Sequence, residues 1–176
     1  MHFIRYNHEK HLRTLFQFMM EPEEQHLFLN HHSCNSLKEF DGWLDNLLRD
    51  FYHEFFLIED DEGKIAGIIY SYHISLENGH CYISVYICPE YQGVGVGASA
   101  GIRFLDYLFR NYPLRRIYTE VYAYNKKSLE SQKSCGLTIT GRIPEYRYYN
   151  NSYHDLILMT ISREEFYKKC GPFIRR

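Results

Sequence analysis

Three glycines at alternate positions, Gly93, Gly95 and Gly97, follow an apolar, β-rich run, Cys81-Tyr-Ile-Ser-Val-Tyr-Ile-Cys88, and the proline that ends it, Pro89. Glycine tolerates the sharp turns that bring consecutive backbone N–H groups round an anion, and a helix opening behind them adds its positive N-terminal end. The segment from Gly93 to Ala98 therefore reads as a phosphate cradle with a phosphorylated cofactor as its ligand. An ATP-type loop is excluded, because no Gly-Lys-Ser/Thr closes the glycines. Gly93-x-Gly95-x-x-Ala98 also fits the dinucleotide fingerprint, with Glu120 where an acid could meet a ribose. Against that, Pro89-Glu-Tyr-Gln92 separates the strand from the first glycine, and one β-α-β unit in mid-chain falls short of the two halves such folds use.

A cradle of this kind must be held between a strand and a helix, and the flanking sequence supplies both. Strand 81–88, a helix from about Gly97 to Asn111 and strand 115–122 make one β-α-β crossover, so the two strands should run parallel and adjacent. Upstream, Phe3–Tyr6 reads as a short strand and Leu12, Leu15, Phe16 and Met19 recur at helical spacing until Glu21-Pro22 stops them. Ser36-x-x-Glu39 is a capping box that opens a second helix with the stripe Phe40, Trp43, Leu44, Leu47, Leu48 and Phe51. Glu54–Glu59 and Lys64–Ser71 flank a hairpin turn, and a third strand follows Glu77-Asn78-Gly79. The expected order is β-α-α-β-β-β-α-β-α-β-β.

Gln92-Gly-Val-Gly95-Val-Gly97, just beyond a strand that ends in proline, resembles the acyl-CoA motif Gln/Arg-x-x-Gly-x-Gly/Ala of the GNAT superfamily of N-acetyltransferases. The downstream spacing is similar too: strand Ile117–Tyr124, then Asn125-Lys-Lys-Ser128, then a helix ending at Cys135-Gly136-Leu137. The tail, with Gly141-Arg142, two tyrosine-rich strand candidates and His154-Asp155, looks most like the branch that includes ribosomal-protein and small-amine acetyltransferases. The resemblance implies an α/β (α+β mixed sheet) GNAT-type fold, with a central, largely antiparallel sheet of about seven strands, a parallel splayed pair in its middle and about four helices. It implies one domain over residues 1–176 and acetyl-CoA (coenzyme A) as cofactor. Main-chain atoms around Ile87 would then hold the thioester arm, and the amides of Gly93, Val94, Gly95, Val96, Gly97 and Ala98 the pyrophosphate. Gln92 fills the first motif position. Asn125 is placed both to cap the helix behind it and to contact the pantetheine arm, Ser128 is similar, and Lys126 and Lys127 face either phosphates or water.

The implied reaction is direct attack of a primary amine on the acetyl thioester in a ternary complex. A lysine-like ammonium, with pKa near ~10.4, must first lose a proton. Glu120 is the candidate base, on the strand face opposite Thr119 and Val121; Tyr86 and Tyr124 could also reach the gap, and Tyr124 is taken with Glu120 as a catalytic candidate. Many relatives have an acid tyrosine seven residues after the asparagine. Here Gln132 stands there and Ser131 beside it is a poor acid, so the alternative is a non-catalytic acyl-CoA binding or sensing module on the same fold. Cys88 is rejected as a nucleophile for want of a partner base. His73 and His80 read as surface residues, and His154-Asp155 either as a dyad near the acceptor amine or, through Asp155, as the ion-pair partner of Arg142 or Arg147 on a neighbouring strand.

Composition narrows the partners. Residues 1–100 carry 6 Lys/Arg against 15 Asp/Glu, and residues 101–176 carry 14 against 7, so the halves are electrically opposite. An acidic first half shaping the acceptor pocket favours a cationic small-molecule or protein amine, although Glu21, Glu23, Glu24 and the Asp60–Glu62 turn also read simply as solvated surface. A sequence pI near 6.5 without a dense basic run argues against nucleic acid. No apolar run is long enough for a membrane span, and the start lacks the apolar stretch of a signal peptide, so the cytoplasm is the expected compartment. Five scattered cysteines without a Cys-x-x-Cys pair indicate neither disulfides nor a metal site. Edge strands in the tyrosine-rich tail offer a route to a homodimer.

Overall fold

The computed structural model describes residues 1–20, 25–28 and 34–174; Glu21, Glu23 and Glu24 lie outside these. Strand β1 (His2–Arg5) leads into helix α1 (His8–Met19), and helix α2 (Leu37–Asn46) continues through a π-helical turn, Leu47–Phe51, into strands β2 (Tyr52–Glu59), β3 (Ile65–Ser75) and β4 (His80–Ile87). Helix α3 (Val96–Asn111), strand β5 (Arg116–Tyr122) and helix α4 (Lys126–Ser134) follow, and the hairpin β6 (Thr138–Tyr149) and β7 (Ser152–Ser162) runs into helix α5 (Arg163–Ile174). The strands form one seven-stranded sheet in the order β1-β2-β3-β4-β5-β7-β6, in which β4 and β5 run parallel and the other pairs antiparallel. This is the mixed sheet expected, with one helix more than expected among the described residues.

Short-range hydrogen bonds fix where the helices begin. Asn7 caps α1 by accepting the Lys10 N–H at 3.0 Å. At α2, Ser36 Oγ accepts the Glu39 N–H at 3.2 Å, while Glu39 reaches past the cap to the Asn35 N–H at 2.8 Å. The unexpected helix, α5, opens on the same device: Ser162 Oγ accepts the Glu165 N–H at 3.2 Å and Glu165 accepts the Ser162 N–H at 2.8 Å. Such a cap contributes about 1 kcal/mol. Its signature, Ser-x-x-Glu, is present in the sequence, but Gly171 and Pro172 sit inside the helix and read as breakers.

Strand alternation divides the core into two layers. Leu15, Met19, Phe40 and Leu44 from α1 and α2 cover one face, against Leu57, Ile68, Tyr70, Tyr72, Tyr86 and Cys88. Phe104, Leu105 and Leu108 from α3, with Leu129 of α4 and Phe166 of α5, cover the other, against Ile69, Cys81, Ile83, Ile117, Val121 and Met159. One carboxylate is buried well away from the glycines. Glu54, on β2, accepts hydrogen bonds from Arg5 at 2.5 Å, from the Tyr107 hydroxyl at 2.8 Å and from the Tyr112 hydroxyl. Burial alone would push Glu54 up, yet the bonds from Tyr112, Arg5 and Tyr107 outweigh it and hold the group below its ordinary pKa.

Candidate functional site

The parallel pair is short. His80 pairs with Arg116, Cys81 with Ile117 and Tyr82 with Tyr118, and beyond that row the strands part. β4 keeps β3 beside it as far as Ile87, opposite Gly67, and β5 keeps β7 as far as Tyr122, opposite Leu156. A Cβ at Gly67 would sit 2.2 Å from the Tyr86 carbonyl oxygen, so a missing side chain lets β4 lie against β3 where it leaves β5. Cys88 gives its N–H to Ala66 at 2.8 Å, and alternation therefore turns the main-chain groups of Val85 and Ile87 to the opposite edge, into the gap.

The cradle closes the outer end of this fork. A short turn, Pro89–Tyr91, separates β4 from Gln92, whose side-chain amide donates to the Ile87 carbonyl at 3.0 Å and accepts from Lys127 at 3.4 Å. Gln92 thus ties the end of β4 to the start of α4. Gly93 and Gly95 adopt φ of 80° and 85°, and a Cβ on either would meet nothing within 4 Å. Both are glycine for backbone conformation rather than for space, which leaves the cradle open around the exposed Val94. Gly95 caps α3 without a side chain, so the first-turn amides of Val96, Gly97 and Ala98 have no intrahelical partner. A Cβ at Gly97 would come 3.3 Å from Ile87 and 3.4 Å from the Ser131 hydroxyl, which packs the start of α3 against α4. Across the fork, Asn125 caps α4 as expected, accepting the Ser128 N–H at 3.1 Å, and Lys126 and Lys127 are exposed beside it.

Adjacent residues of β5 face opposite sides at the apex. Thr119 points toward α4 and donates its hydroxyl to Gln132, whose amide in turn donates to the Ser128 hydroxyl at 3.2 Å. Glu120 points to the α1/α2 side, where the Tyr72 hydroxyl donates to it at 2.9 Å. On that side the segment Gln25–Leu27 with Phe28 spans the fork: Phe28 packs on Tyr86 at 4.5 Å between ring centroids, and the Tyr124 hydroxyl donates to the His26 carbonyl at 2.6 Å. Burial pushes Tyr124 up to about 12, with the neighbouring Tyr122 adding to the effect. Its hydroxyl proton is directed at a backbone carbonyl on the segment that spans the fork. A cleft of about 660 Å³, lined by Phe18, Tyr86, Cys88 and Tyr91 among others, runs along the outer part of β4 on the same side; small-molecule sites commonly have this size.

The remaining candidates resolve plainly. Cys88 donates its S–H to the Ile65 carbonyl at 3.6 Å, and burial pushes Cys81 and Cys135 up to about 12, so none of the three has a nucleophile's setting. His73 is exposed, and His80 lies edge-on to Tyr118. Asp155 pairs with Arg142 and accepts the Glu145 N–H at 2.9 Å, while His154 shares hydrogen bonds with Ser152 and the Tyr149 carbonyl. The sequence reading missed Tyr72, Thr119 and His26. Their partners lie 48, 13 and 98 residues away, and no spacing rule spans such separations. Glu120, the acid of the dinucleotide alternative, lies at the apex of the fork, where it accepts from Tyr72.

Comparison with known proteins agrees with this geometry. Residues 3–158 match the family model described as acetyltransferase (GNAT) domain. Over 131 residues the chain is 26% identical to the spermidine N(1)-acetyltransferase of Vibrio cholerae, spanning 74% of this chain and 76% of that one. It is 24% identical over 134 residues to an uncharacterized prophage-derived N-acetyltransferase of Bacillus subtilis, spanning 76% and 73%. In fold it resembles the crystal structure of spermidine N-acetyltransferase from Vibrio cholerae in complex with CoA and spermine, with a TM-score of 0.82 at 23% identity over 92% of this chain and 95% of that one.

Proposed function

The chain belongs to the GNAT acetyltransferase family, and from that premise we propose that it is an N-acetyltransferase that takes acetyl groups from acetyl-CoA and delivers them to a primary amine of the polyamine class. The observation that carries the reading is the fork, a parallel pair that parts after three rows with a glycine cradle at the end of one arm. The residues fit the cofactor. Left-handed glycines and the uncapped start of α3 suit a pyrophosphate, with Lys126 and Lys127 across the fork, and the main-chain edges of Val85 and Ile87 suit the amides of a pantetheine arm. When bound, acetyl-CoA supplies the activated acetyl group.

The chain's own residues bind, orient and move a proton. Gln92, Gly93, Val94, Gly95, Val96, Gly97 and Ala98 form the phosphate end of the site, and Ile87, Asn125 and Ser128 border the arm. Glu120 takes a proton from the incoming ammonium, which frees the nitrogen lone pair for attack. Tyr124 holds the segment around His26 over the fork, limiting the directions from which an amine and water arrive. The polyamine class is supported by the spermidine acetyltransferases among the relatives and by the acidic excess of residues 1–100. The exposed edge of β6, with Tyr146 and Tyr148, suits pairing with a second copy of the chain.

Calorimetric titration of acetyl-CoA, followed by a thiol-release assay over spermidine, spermine, aminoglycosides and amino acids, tests the reading. One-site binding that Gly95→Glu abolishes, with turnover of spermidine or spermine, is the expected outcome. Binding with no thiol release from any amine would instead identify an acyl-CoA binding module, and no binding would end the assignment.

A further inference from the structure

Tyr72 sits on β3, two strands away from Glu120, and still reaches its carboxylate. The register explains how. Tyr72 pairs with Tyr82, and Tyr82 with Tyr118, so three tyrosines stand side by side in the last row before the fork opens. Their ring centroids lie 5.5 Å and 5.2 Å apart. Glu120 follows Tyr118 by two residues and so shares its face.

Several features fix Tyr72 in place. It is 2% exposed, whereas Glu120 is only half-buried. Phe51 stacks on its ring at 5.2 Å and His73 packs against it at the same distance. His73 itself has a left-handed φ of 46°, and the pairing with β4 slips between Tyr72 and Ser75. A histidine in that region is uncommon, and strain at such a residue persists only where its surroundings impose it. Burial, then the charge of Glu120, pushes the Tyr72 hydroxyl well above its ordinary pKa, so it remains a proton donor through the neutral range.

We propose that Tyr72 is a positioning residue for acetyl transfer, its hydroxyl pinning one oxygen of Glu120 so that the other faces the amine. This rests on the reading of Glu120 as the proton acceptor. Glu120 first passes the ammonium proton to solvent. Then, as the new C–N bond replaces the C–S bond, the second proton leaving the nitrogen passes to the free oxygen of Glu120 and from there, through solvent, to the departing sulfur. Tyr72 keeps its own proton throughout.

Tyr72→Phe removes the hydroxyl and keeps the ring. With spermidine and acetyl-CoA it should lower kcat about tenfold, the scale of one lost hydrogen bond to a charged group. KM for both substrates should change less than about twofold, and the thermal midpoint of the free protein should move by no more than about 3 °C. Glu120→Gln should cost about 100-fold or more in kcat while acetyl-CoA binding, read by calorimetry, is retained. Adding Tyr72→Phe to Glu120→Gln should cost nothing further, because the group being positioned is gone. An unchanged kcat in Tyr72→Phe, the same tenfold loss in both backgrounds, or a loss matched by a collapse in thermal midpoint would each overturn the proposal and make Tyr72 structural. Full activity in Glu120→Gln would overturn the assignment of the base itself, whatever Tyr72 does.

Discussion

Single side chains at the fork differ most in what already holds them. Gln132 stands where many relatives have an acid tyrosine, yet its amide is spent on Thr119 and Ser128 and carries no acidic proton. On the proposed mechanism, protonation of the departing thiolate falls to solvent, and a thiolate whose conjugate acid has a pKa near ~8.5 is a good enough leaving group to depart unprotonated. The cysteines are set aside by the same kind of accounting. Cys81 and Cys135 are buried and pushed up to about 12, so almost none of either is thiolate at neutral pH. Iodoacetamide applied to the folded protein at neutral pH should leave both unlabelled by mass spectrometry, with half-buried Cys34 reacting before them, and Cys88→Ala should keep kcat within about threefold. Rapid labelling of Cys81, or loss of turnover in Cys88→Ala, would return a thiol to the mechanism.

Elements made of local signals were legible in the sequence, and elements defined by distant partners were not. The glycine cradle, the Asn125 cap and the β-α-β crossover each depend on residues within one turn or one connection of each other, and they appear where spacing put them. The apex of the fork is built by β3 and α4 reaching β5, so Tyr72 with Glu120 and Thr119 with Gln132 have no signature in the chain. The same holds for Glu54, which joins β1, β2, α3 and the residue after α3 through Arg5, Tyr107 and Tyr112. Because its folded pKa is depressed, its contribution to stability is complete above the ordinary glutamate pKa, near ~4.3, and is lost as pH falls below that through the lower folded value. Urea unfolding should accordingly show stability dropping with pH below about 4.5. Glu54→Gln should cost about 1–2 kcal/mol at neutral pH, since it replaces a charged acceptor of three hydrogen bonds by a neutral one while the largely exposed Arg5 keeps access to water, and should flatten that acid limb. A variant as stable as the parent at pH 7 would mean the three donors are satisfied by water instead.

At the scale of the whole molecule, two stretches of opposite charge meet at the fork, the first carrying β4 and the second β5. Residues 1–100, with 15 acidic and 6 basic side chains, include α1, α2 and β1 to β4; residues 101–176, with 14 basic and 7 acidic, include β5 and α4 with Lys126 and Lys127. Some of these acids are paired, Glu54 with Arg5, Asp41 with His8 and Asp61 with the N-terminal ammonium, and Asp61 stays largely exposed despite its partner. A field of this kind acts over about a Debye length, ~10 Å at 0.1 M salt, and raises the encounter rate of a ligand in proportion to its charge. Spermidine is a polycation and a monoamine carries one charge, so their dependence on ionic strength should differ. Raising salt from about 50 to 300 mM should lower kcat/KM for spermidine several-fold and for a monoamine acceptor much less, with kcat itself nearly constant for both. Equal slopes for the two acceptors would show that the acidic half is only a solvated surface, and that selection for cations is made by contacts inside the fork, where salt does not reach.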